Sequence, residues 1–232
     1  MENKAVIILS GGLDSATCMG FAQEAGYTVY PVTFDYGQRH RIEIAHAVLV
    51  AEHYRSEKRH KIIALSFLHE FGGSALTDNN IEVRVSVEPH GSTTGSGIPA
   101  TYVPARNLLF LSIAASYAEV IGAEAIYIGV NALDYSGYPD CRPAFISKME
   151  KIIAVATKAG VEGRNTAILA PLIHLNKADI IKEGLRMGVP YHLTTSCYLG
   201  EKKACGICDS CRIRLKGFAD SGVRDPIHYK SR

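Results

Sequence analysis

The 232-residue sequence has no apolar run that approaches the length of a membrane span and no broad excess of one charge. The missing apolar run predicts a soluble chain that does not enter a membrane. Lys and Arg number 25 against 23 Asp and Glu, and this formal net charge of +2 does not favour an extended nucleic-acid-binding surface. Residues 1–9 lack the pattern of a signal peptide, because their short apolar stretch runs into a glycine-rich turn rather than a cleavage site. We therefore expect a cytoplasmic protein whose six cysteines serve a metal or chemistry rather than disulfides.

What the sequence does contain is a regular alternation of short apolar runs and helical segments. The apolar runs predict strands at residues 5–9, 29–34, 61–65, 125–130 and 167–169. Helical spacing predicts helices over residues 13–25, 42–54, 108–121, 143–159 and 177–187. This rhythm predicts an α/β fold built on a doubly wound parallel sheet, with helices on both faces.

Local sequence signals predict where two helices start, where a long loop lies and how the chain divides into a core and a C-terminal segment. Pro104 is expected in the first turn of the helix at 108–121, and Asn176 is expected to cap the helix at 177–187. Residues 86–101 are rich in Gly, Ser, Thr and Pro and predict a functional loop. We expect one nucleotide-binding core at 1–190 and a small, irregular, cysteine-rich segment at 191–232 packed on it.

The turn Ser10-Gly11-Gly12-Leu13-Asp14-Ser15 stands at the first junction between a strand and a helix. Two glycines allow a tight bend and a close approach of the backbone to a ligand. The N–H groups that open the helix form an anion site with the helix dipole, and both serines can add donors. Asp14 beside a polyphosphate suits a divalent cation such as Mg²⁺. The alternative is an ordinary turn capped by a serine, which two glycines alone would favour.

The complete turn resembles the PP-loop motif of ATP pyrophosphatases, and no Walker A motif occurs in the chain. The resemblance implies an adenine nucleotide alpha hydrolase-like, Rossmann-like fold that cleaves ATP at the α-phosphate, giving AMP and pyrophosphate. It also implies nucleotide contacts at Leu9, Ser10, Gly11, Gly12, Leu13, Asp14, Ser15, Ala16, Thr17, Cys18 and Met19, with adenine near Thr33 and Phe34.

Lys177 stands at the predicted start of a helix, where a cation does not complement the dipole. A nearby anion would explain it, and the surrounding sequence resembles a second PP-loop element. We therefore assign Lys177 to phosphate, and a solvated lysine beside Asp179 is the alternative.

Four cysteines near the end of the sequence have the spacing of a metal site, and they are Cys197, Cys205, Cys208 and Cys211. The two Cys-x2-Cys steps let neighbouring thiolates converge on one tetrahedral ion, which predicts a closed, structural zinc site. An iron–sulfur cluster and unpaired buried thiols are the alternatives. Of the other cysteines, Cys18 lies at an apolar helix position and predicts core packing, whereas Cys141 lies among charged residues, as a reactive thiol would.

Further motifs narrow the resemblance, and they are Asp35–His40, Tyr102–Asn107, Asp134–Arg142, Thr195–Tyr198 and Cys208–Arg212. Together they resemble the 7-cyano-7-deazaguanine synthase (QueC) family nearly from end to end. The resemblance implies an ATP-dependent ligase that converts 7-carboxy-7-deazaguanine and free ammonia to the 7-cyano compound, in queuosine biosynthesis. It also implies a homodimer that binds no nucleic acid. One departure is Ala105, where the family favours glycine, and we expect it to be harmless in a first helical turn.

The residue types in these motifs suit a guanine-like carboxylate, although the sequence leaves the individual partners open. Asp134 or Asp140 can accept hydrogen bonds from the base, and Tyr135 or Tyr138 can stack on it. Arg142 or Arg106 can bind the carboxylate or a phosphate. A surface ion pair between Asp140 and Arg142 is the alternative to a binding role.

Two other functions remain open from the sequence. The first is a PP-loop tRNA thiolase that uses Cys141 as its catalytic thiol, although the chain shows no RNA-binding domain. The second is a non-enzymatic zinc-knuckle module, against which the intact phosphate turn and the small net charge both argue.

Overall fold

The computed structural model describes residues 3–83, 97–133 and 137–230. Its five strands are β1 (Lys4–Ile8), β2 (Thr28–Asp35), β3 (Lys61–Ala64), β4 (Ala125–Tyr127) and β5 (Ala167–Leu169). They form one parallel sheet in the order β3-β2-β1-β4-β5. The order reverses direction on either side of β1, which is the switch point where open α/β sheets bind ligands.

Within the described ranges, eight helices connect or flank these strands. They are α1 (Leu13–Glu24), α2 (Ile42–His53), α3 (Phe67–Phe71), α4 (Arg106–Ile121), α5 (Pro143–Ala156), α6 (Lys158–Val161), α7 (Lys177–Arg186) and α8 (Asp209–Asp220). Single 3-10 turns lie at Glu57–Arg59, Pro139–Cys141 and Tyr191–Leu193. None of the helices in these described ranges is long and apolar enough to cross a bilayer.

Both faces of the sheet are covered, as the alternation of side chains along β1 shows. Val6 and Ile8 pack with α4 and α5 on one face, whereas Ala5 and Ile7 pack with α1, α2, α7 and α8 on the other. Successive side chains of a strand point to opposite faces, so a strand that is apolar throughout must be buried on both. The predicted doubly wound sheet is confirmed.

The cysteine-rich end of the chain corrects one expectation, because it is not irregular throughout. Residues Asp209–Asp220 form α8, which packs on α7 so closely that a β-carbon at Gly217 would lie 2.4 Å from Cγ of Lys177. Phe218 of α8 belongs to the same apolar cluster as Ile180 and Ile181. The division of the chain at residue 190 stays a prediction.

One helix and one strand are shorter than predicted. The predicted helix at 143–159 breaks at Thr157, which is extended and whose side chain accepts a hydrogen bond from the Gly160 N–H to begin α6. A predicted strand at 125–130 ends at Tyr127, and the two residues next to Gly129 line the cavity described below.

The start of α4 is also not as predicted, because Pro104 precedes the helix and α4 begins at Arg106. Between them Ala105 is the N-cap residue and has φ 55° and ψ 19°, in the left-handed region. A β-carbon in that region lies too close to the neighbouring carbonyl, which costs about 1–2 kcal/mol. The expectation that alanine is harmless here is therefore wrong, and the glycine that the family favours would remove the strain.

Ala105→Gly should raise the free energy of unfolding by about 0.5–1 kcal/mol, because relief of the strained φ exceeds the extra chain entropy of glycine in the unfolded state. Urea denaturation followed by circular dichroism measures the change. Ser116→Gly, at an exposed position in the middle of the same helix, is the matched control and should lower stability. Equal losses in both variants would contradict a strained Ala105.

Candidate active site

The turn between β1 and α1 is folded by its own two serines. The backbone N–H of Ser10 donates to Oγ of Ser15 over 3.1 Å, and Gly12 N–H donates to Oγ of Ser10 over 3.2 Å. The Ser15 hydroxyl donates back to the Gly12 carbonyl over 3.1 Å. The first N–H groups of α1 have no earlier helical carbonyl to bond, so the turn presents donors and the positive end of the dipole to an anion.

Two glycines allow neighbouring backbone to touch this turn. Gly11 has φ 83°, and a β-carbon there would lie 2.1 Å from the carbonyl oxygen of Glu43 in α2. A β-carbon at Gly129, just after β4, would lie 3.0 Å from the backbone of Asp14 and Ser15. The turn is thus fixed on one side by α2 and on the other by the end of β4.

A cavity of about 190 Å³ opens beside the turn, at the carboxyl edge of the sheet. One wall carries Phe34, whose ring stacks on Phe110 with centroids 4.1 Å apart and planes 17° apart. Thr33 does not line the cavity, because its hydroxyl lies 2.6 Å from the Leu9 carbonyl and 2.7 Å from Nε2 of His60. Of the two residues predicted near adenine, Phe34 therefore faces the cavity and Thr33 ties neighbouring strands together.

Asp14, which lines the cavity, forms an ion pair with Lys177. The Lys177 ammonium donates to Oδ1 and Oδ2 of Asp14 over 2.7 and 2.9 Å. Lys177 is 8% exposed, so the alternative of a solvated lysine beside Asp179 is wrong. The backbone N–H of Asp179 donates to the side chain of the cap residue Asn176. Asp14 is thus one anion beside Lys177, and the assignment of Lys177 to phosphate stays a prediction.

Arg106 lies across the cavity in an aromatic environment. Its Nη1 donates to the Tyr36 hydroxyl over 3.2 Å, and its guanidinium lies 5.8 Å and 6.0 Å from the ring centroids of Tyr36 and Phe110. Burial opposes its charge, yet Tyr36, Tyr138 and Asp140 hold the pKa of Arg106 above its ordinary value. Burial also raises the pKa of Tyr36 to about 12. This side of the cavity therefore holds a permanent cation among protonated phenols.

The four predicted metal ligands converge next to the far wall of the cavity, which residues 195–198 form. The sulfur atoms of Cys197, Cys205, Cys208 and Cys211 all lie within 4.8 Å of one another, and all four residues are buried. Three N–H groups point at these sulfurs: Cys205 N–H donates to Cys197 over 3.4 Å, and Ile207 and Cys208 donate to Cys205 over 3.4 and 3.3 Å. Hydrogen bonds from the thiols of Cys208 and Cys211 hold the pKa of Cys197 below its ordinary value. Four soft donors with supporting N–H groups fit a tetrahedral metal ion.

Comparison with known proteins assigns the family. The family model described as "Queuosine biosynthesis protein QueC" matches residues 4–222. The chain belongs to the QueC family. It is 57% identical over 226 residues to 7-cyano-7-deazaguanine synthase of Oceanobacillus iheyensis, covering 97% of this chain and 98% of the relative. It is 54% identical over 229 residues to the enzyme of the same name from Acetivibrio thermocellus, covering 99% of both.

Solved structures resemble the QueC chain more distantly. A 4-thiouridine synthetase–RNA complex with bound ATP matches with a TM-score of 0.49 and 19% identity, covering 95% of this chain and 50% of the other. The fold assignment therefore depends on the strand order and the family match.

The structure separates the QueC residues predicted to bind nucleotide into two groups. Leu9, Ser10, Gly12, Leu13, Asp14 and Ser15 line the cavity, whereas Gly11 packs against α2. The four residues that follow are fully buried in the core beneath the turn, and they are Ala16, Thr17, Cys18 and Met19. Core packing of Cys18 is confirmed, and burial raises the pKa of its thiol.

The predicted substrate residues also fall into separate places. Asp134 and Tyr135 lie outside the described residues. Asp140 is 6% exposed, and its carboxylate accepts the N–H of Asn107 over 3.0 Å at the start of α4. Tyr138 lines the cavity, whereas Arg142 is exposed at the start of α5. Burial raises the pKa of both Asp140 and Tyr138.

Sequence reasoning gave no role to three residues that the cavity includes, Tyr36, His40 and Glu43. The first two belong to the motif Asp35–His40, which carried the family resemblance. Glu43 lies three residues after His40, on the first turn of α2. The sequence did carry a signal for these residues, because the motif Asp35–His40 begins where β2 ends, at the carboxyl edge of the sheet.

A buried ion pair outside the cavity, between Arg214 and Asp225, holds the last part of the QueC chain in place. Arg214 is 1% exposed, and its Nε and Nη2 donate to the Asp225 carboxylate over 2.8 and 3.0 Å. Its other donors reach the Thr194 hydroxyl over 2.8 Å and the Tyr191 carbonyl over 3.1 Å. α8 is therefore joined both to the chain before the cysteines and to the chain after it.

Cys141 is buried and 4% exposed, so the expectation of a reactive thiol is wrong. Burial and the neighbouring Asp140 raise its pKa to about 12. Its sulfur accepts a hydrogen bond from the Asn107 side chain over 3.5 Å. A thiol in this state is protonated at neutral pH and is a weak nucleophile.

Cys141 should therefore resist alkylation by iodoacetamide at pH 8 in the folded protein and react fully once the protein is denatured. Mass spectrometry of peptides that contain Cys141 measures the modified fraction in both states. Rapid labelling of Cys141 in the folded protein would contradict this description of its surroundings and restore the thiolase alternative.

Proposed function

We propose that this chain converts 7-carboxy-7-deazaguanine, ammonia and ATP to 7-cyano-7-deazaguanine, AMP and pyrophosphate. The observation that carries the proposal is the phosphate turn, which opens directly into a cavity that also contains Arg106 and three tyrosines. The names of the relatives support the same reaction, since the chain covers nearly their whole length.

The turn at residues 10–15 would hold the outer phosphates of ATP, with adenine against the Phe34–Phe110 pair. The ammonium of Lys177 would give up one of its two hydrogen bonds to Asp14 and donate to a phosphate oxygen instead. Asp14 would hold Mg²⁺ when it is bound, and the ion would neutralise charge on the polyphosphate. This placement leaves the α-phosphorus exposed to the substrate carboxylate in the cavity.

Arg106 is the residue that we assign to the substrate carboxylate, because its half-buried guanidinium lines the cavity. The nearby ring of Tyr138 would contact the base. Asp140 and Arg142 remain proposed substrate contacts, together with Asp134 and Tyr135. Attack of the carboxylate oxygen on the α-phosphorus gives an acyl adenylate and releases pyrophosphate. Ammonia then displaces AMP to give the amide, and a second adenylation at the amide oxygen permits elimination to the nitrile.

The tRNA thiolase alternative is not favoured, because it needs a reactive cysteine and Cys141 is buried with a raised pKa. We propose that the enzyme binds no nucleic acid, in keeping with its net charge of +2.

We also propose that it works in the cytoplasm as a homodimer. The exposed apolar side chains of α5, Ile152 and Val155, offer a candidate contact for a second copy.

Incubation with the carboxy-deazaguanine, ammonium chloride and Mg-ATP should give the nitrile and AMP in mass spectra. Asp14→Asn should lower turnover at least about 100-fold, because it removes a charge at the phosphate turn. Asp179→Asn, at a half-buried position in the first turn of α7 that does not line the cavity, is the matched control and should retain activity. Circular dichroism reports whether each variant is folded. A folded Asp14→Asn variant with normal turnover, or ADP as the only nucleotide product, would contradict the proposal.

We propose that zinc is the metal at the four cysteines, where it would fix the segment that forms the far wall of the cavity. Metal analysis of purified protein should give one zinc per chain. Cys208→Ser should lose the zinc and lower the melting temperature by more than about 5 °C, because folding and metal binding are linked. Cys141→Ser, which lies outside the cluster, should keep the zinc. Iron with visible absorption in place of zinc would identify a different site.

A further inference from the structure

Nitrile formation removes every proton from the incoming nitrogen. Ammonium must lose a proton before its lone pair attacks the acyl carbon of the adenylate. Once the C–N bond has formed, the nitrogen loses another proton. The C–O bond to AMP then breaks, and its electron pair leaves on the AMP oxygen. The amide nitrogen loses one proton when its oxygen attacks the second ATP and pyrophosphate leaves. It loses the last when C≡N forms and the second AMP departs. This inference rests on the proposed ligase reaction, and it asks which groups of the cavity accept these protons.

Most titratable groups that line the described part of the cavity cannot accept a proton. The Asp14 carboxylate is held at both oxygens by Lys177. Arg106 is a permanent cation, and burial keeps the phenol of Tyr36 and the thiol of Cys141 protonated, each with a pKa of about 12. A general base needs a free lone pair near the pH of the reaction. Asp14 is committed to its ion pair with Lys177, and Arg106, Tyr36 and Cys141 offer no such lone pair.

The Tyr138 phenol is excluded for the same reason, because burial raises its pKa. Cys197 is committed to the metal site, and Tyr198 is a phenol whose ring lies against His40 with centroids 5.9 Å apart. Two residues remain among the described cavity groups, His40 and Glu43.

His40 and Glu43 contact each other in a fixed arrangement. Nε2 of His40 lies 3.2 Å from Oε2 of Glu43, and the second oxygen of Glu43 accepts a hydrogen bond from the Gln38 side chain over 2.9 Å. Gln38 is itself fixed, since it donates to the Phe34 carbonyl over 3.1 Å and accepts the Tyr36 N–H over 2.8 Å. The carboxylate is thereby oriented by two donors and keeps lone pairs for a third.

Nδ1 of His40 is buried and has no hydrogen-bond partner among the residues that the structure describes. If Nε2 carries its proton toward Glu43, Nδ1 is a free acceptor. A buried acceptor left unpaired costs about 1–3 kcal/mol, so native proteins seldom keep one without a use. The carboxylate would stabilise the imidazolium that forms when Nδ1 takes a proton, as the acidic member of a catalytic triad does for its histidine.

We propose that Glu43 and His40 are the ammonium-binding and proton-accepting pair of this enzyme. The carboxylate of Glu43 attracts ammonium into the cavity and receives its N–H hydrogen bond. Nδ1 of His40 takes the proton, leaving an imidazolium–carboxylate ion pair, and loses it to solvent before the next step. Because solvent does not reach Nδ1 in the structure, the imidazole must turn slightly to collect the proton. The same pair serves both half-reactions, since the same nitrogen is deprotonated in each.

His40→Gln and Glu43→Gln test this pair, because glutamine at 40 can still donate to Glu43 but has no basic nitrogen. Both variants should slow ammonium-dependent amide formation by about 100-fold to 10,000-fold. Both should keep the exchange of labelled pyrophosphate into ATP that depends on the carboxylate alone, within about twofold of the wild type. Matched controls are His53→Gln and Glu52→Gln, which are exposed residues at the end of α2 and should behave as wild type.

Hydroxylamine separates proton removal from a structural role, because it is largely neutral at neutral pH and needs no base before it attacks. Both variants should form the hydroxamate at nearly the wild-type rate. Normal ammonium-dependent rates in His40→Gln and Glu43→Gln would overturn the inference. Loss of exchange and hydroxamate formation together would also overturn it, because the pair would then maintain the nucleotide site or its Mg²⁺. Wild-type protein without pyrophosphate exchange would instead contradict the proposed function itself.

Discussion

At Gly11 the backbone passes so near α2 that any side chain would meet the carbonyl of Glu43, and this close approach organises the whole site. The phosphate turn is packed against α2, which carries Glu43 in its first turn, and His40 lies two residues before the helix. The turn also bonds to the chain before the cysteines, since the Thr195 N–H donates to the Gly11 carbonyl over 3.0 Å. One glycine thus brings the proposed nucleotide-binding turn close both to the start of α2 and to the segment that contains the cysteines. Such spacing matters because an effective active site holds its groups in position before the substrates arrive.

The sequence predicted those features that depend on neighbouring residues. The strand β1, the turn after it and the start of α1 were predicted nearly to the residue, because an apolar run, two glycines and a helical spacing each have a local cause. The cap of α7 at Asn176 was predicted for the same reason, and its side chain accepts the Asp179 N–H over 2.9 Å. The four cysteines were found by spacing alone, and the structure confirms that they converge.

Features that depend on distant parts of the chain were not predictable in this way. The anion beside Lys177 is a carboxylate 163 residues earlier, which no local pattern indicates. Ala105 is left-handed although alanine rarely adopts that conformation, and the available signal was the glycine that the family favours at this position. α8 was missed because its sequence is mostly polar and begins among metal ligands, which suggested a loop. Burial, rather than neighbouring charge in the sequence, determined the state of Cys141.

The bond network around Arg214 has a consequence for the extreme end of the chain. Asp225 neutralises this guanidinium and also accepts the hydroxyl of Tyr229 over 2.6 Å, while the Lys230 N–H donates to the Ala204 carbonyl over 2.9 Å. The last residues therefore act as a latch across the cysteine segment. Removal of the chain from Asp225 onward would leave the buried guanidinium of Arg214 without its carboxylate, which is strongly destabilising. The last few residues therefore stabilise the fold far more than their number suggests.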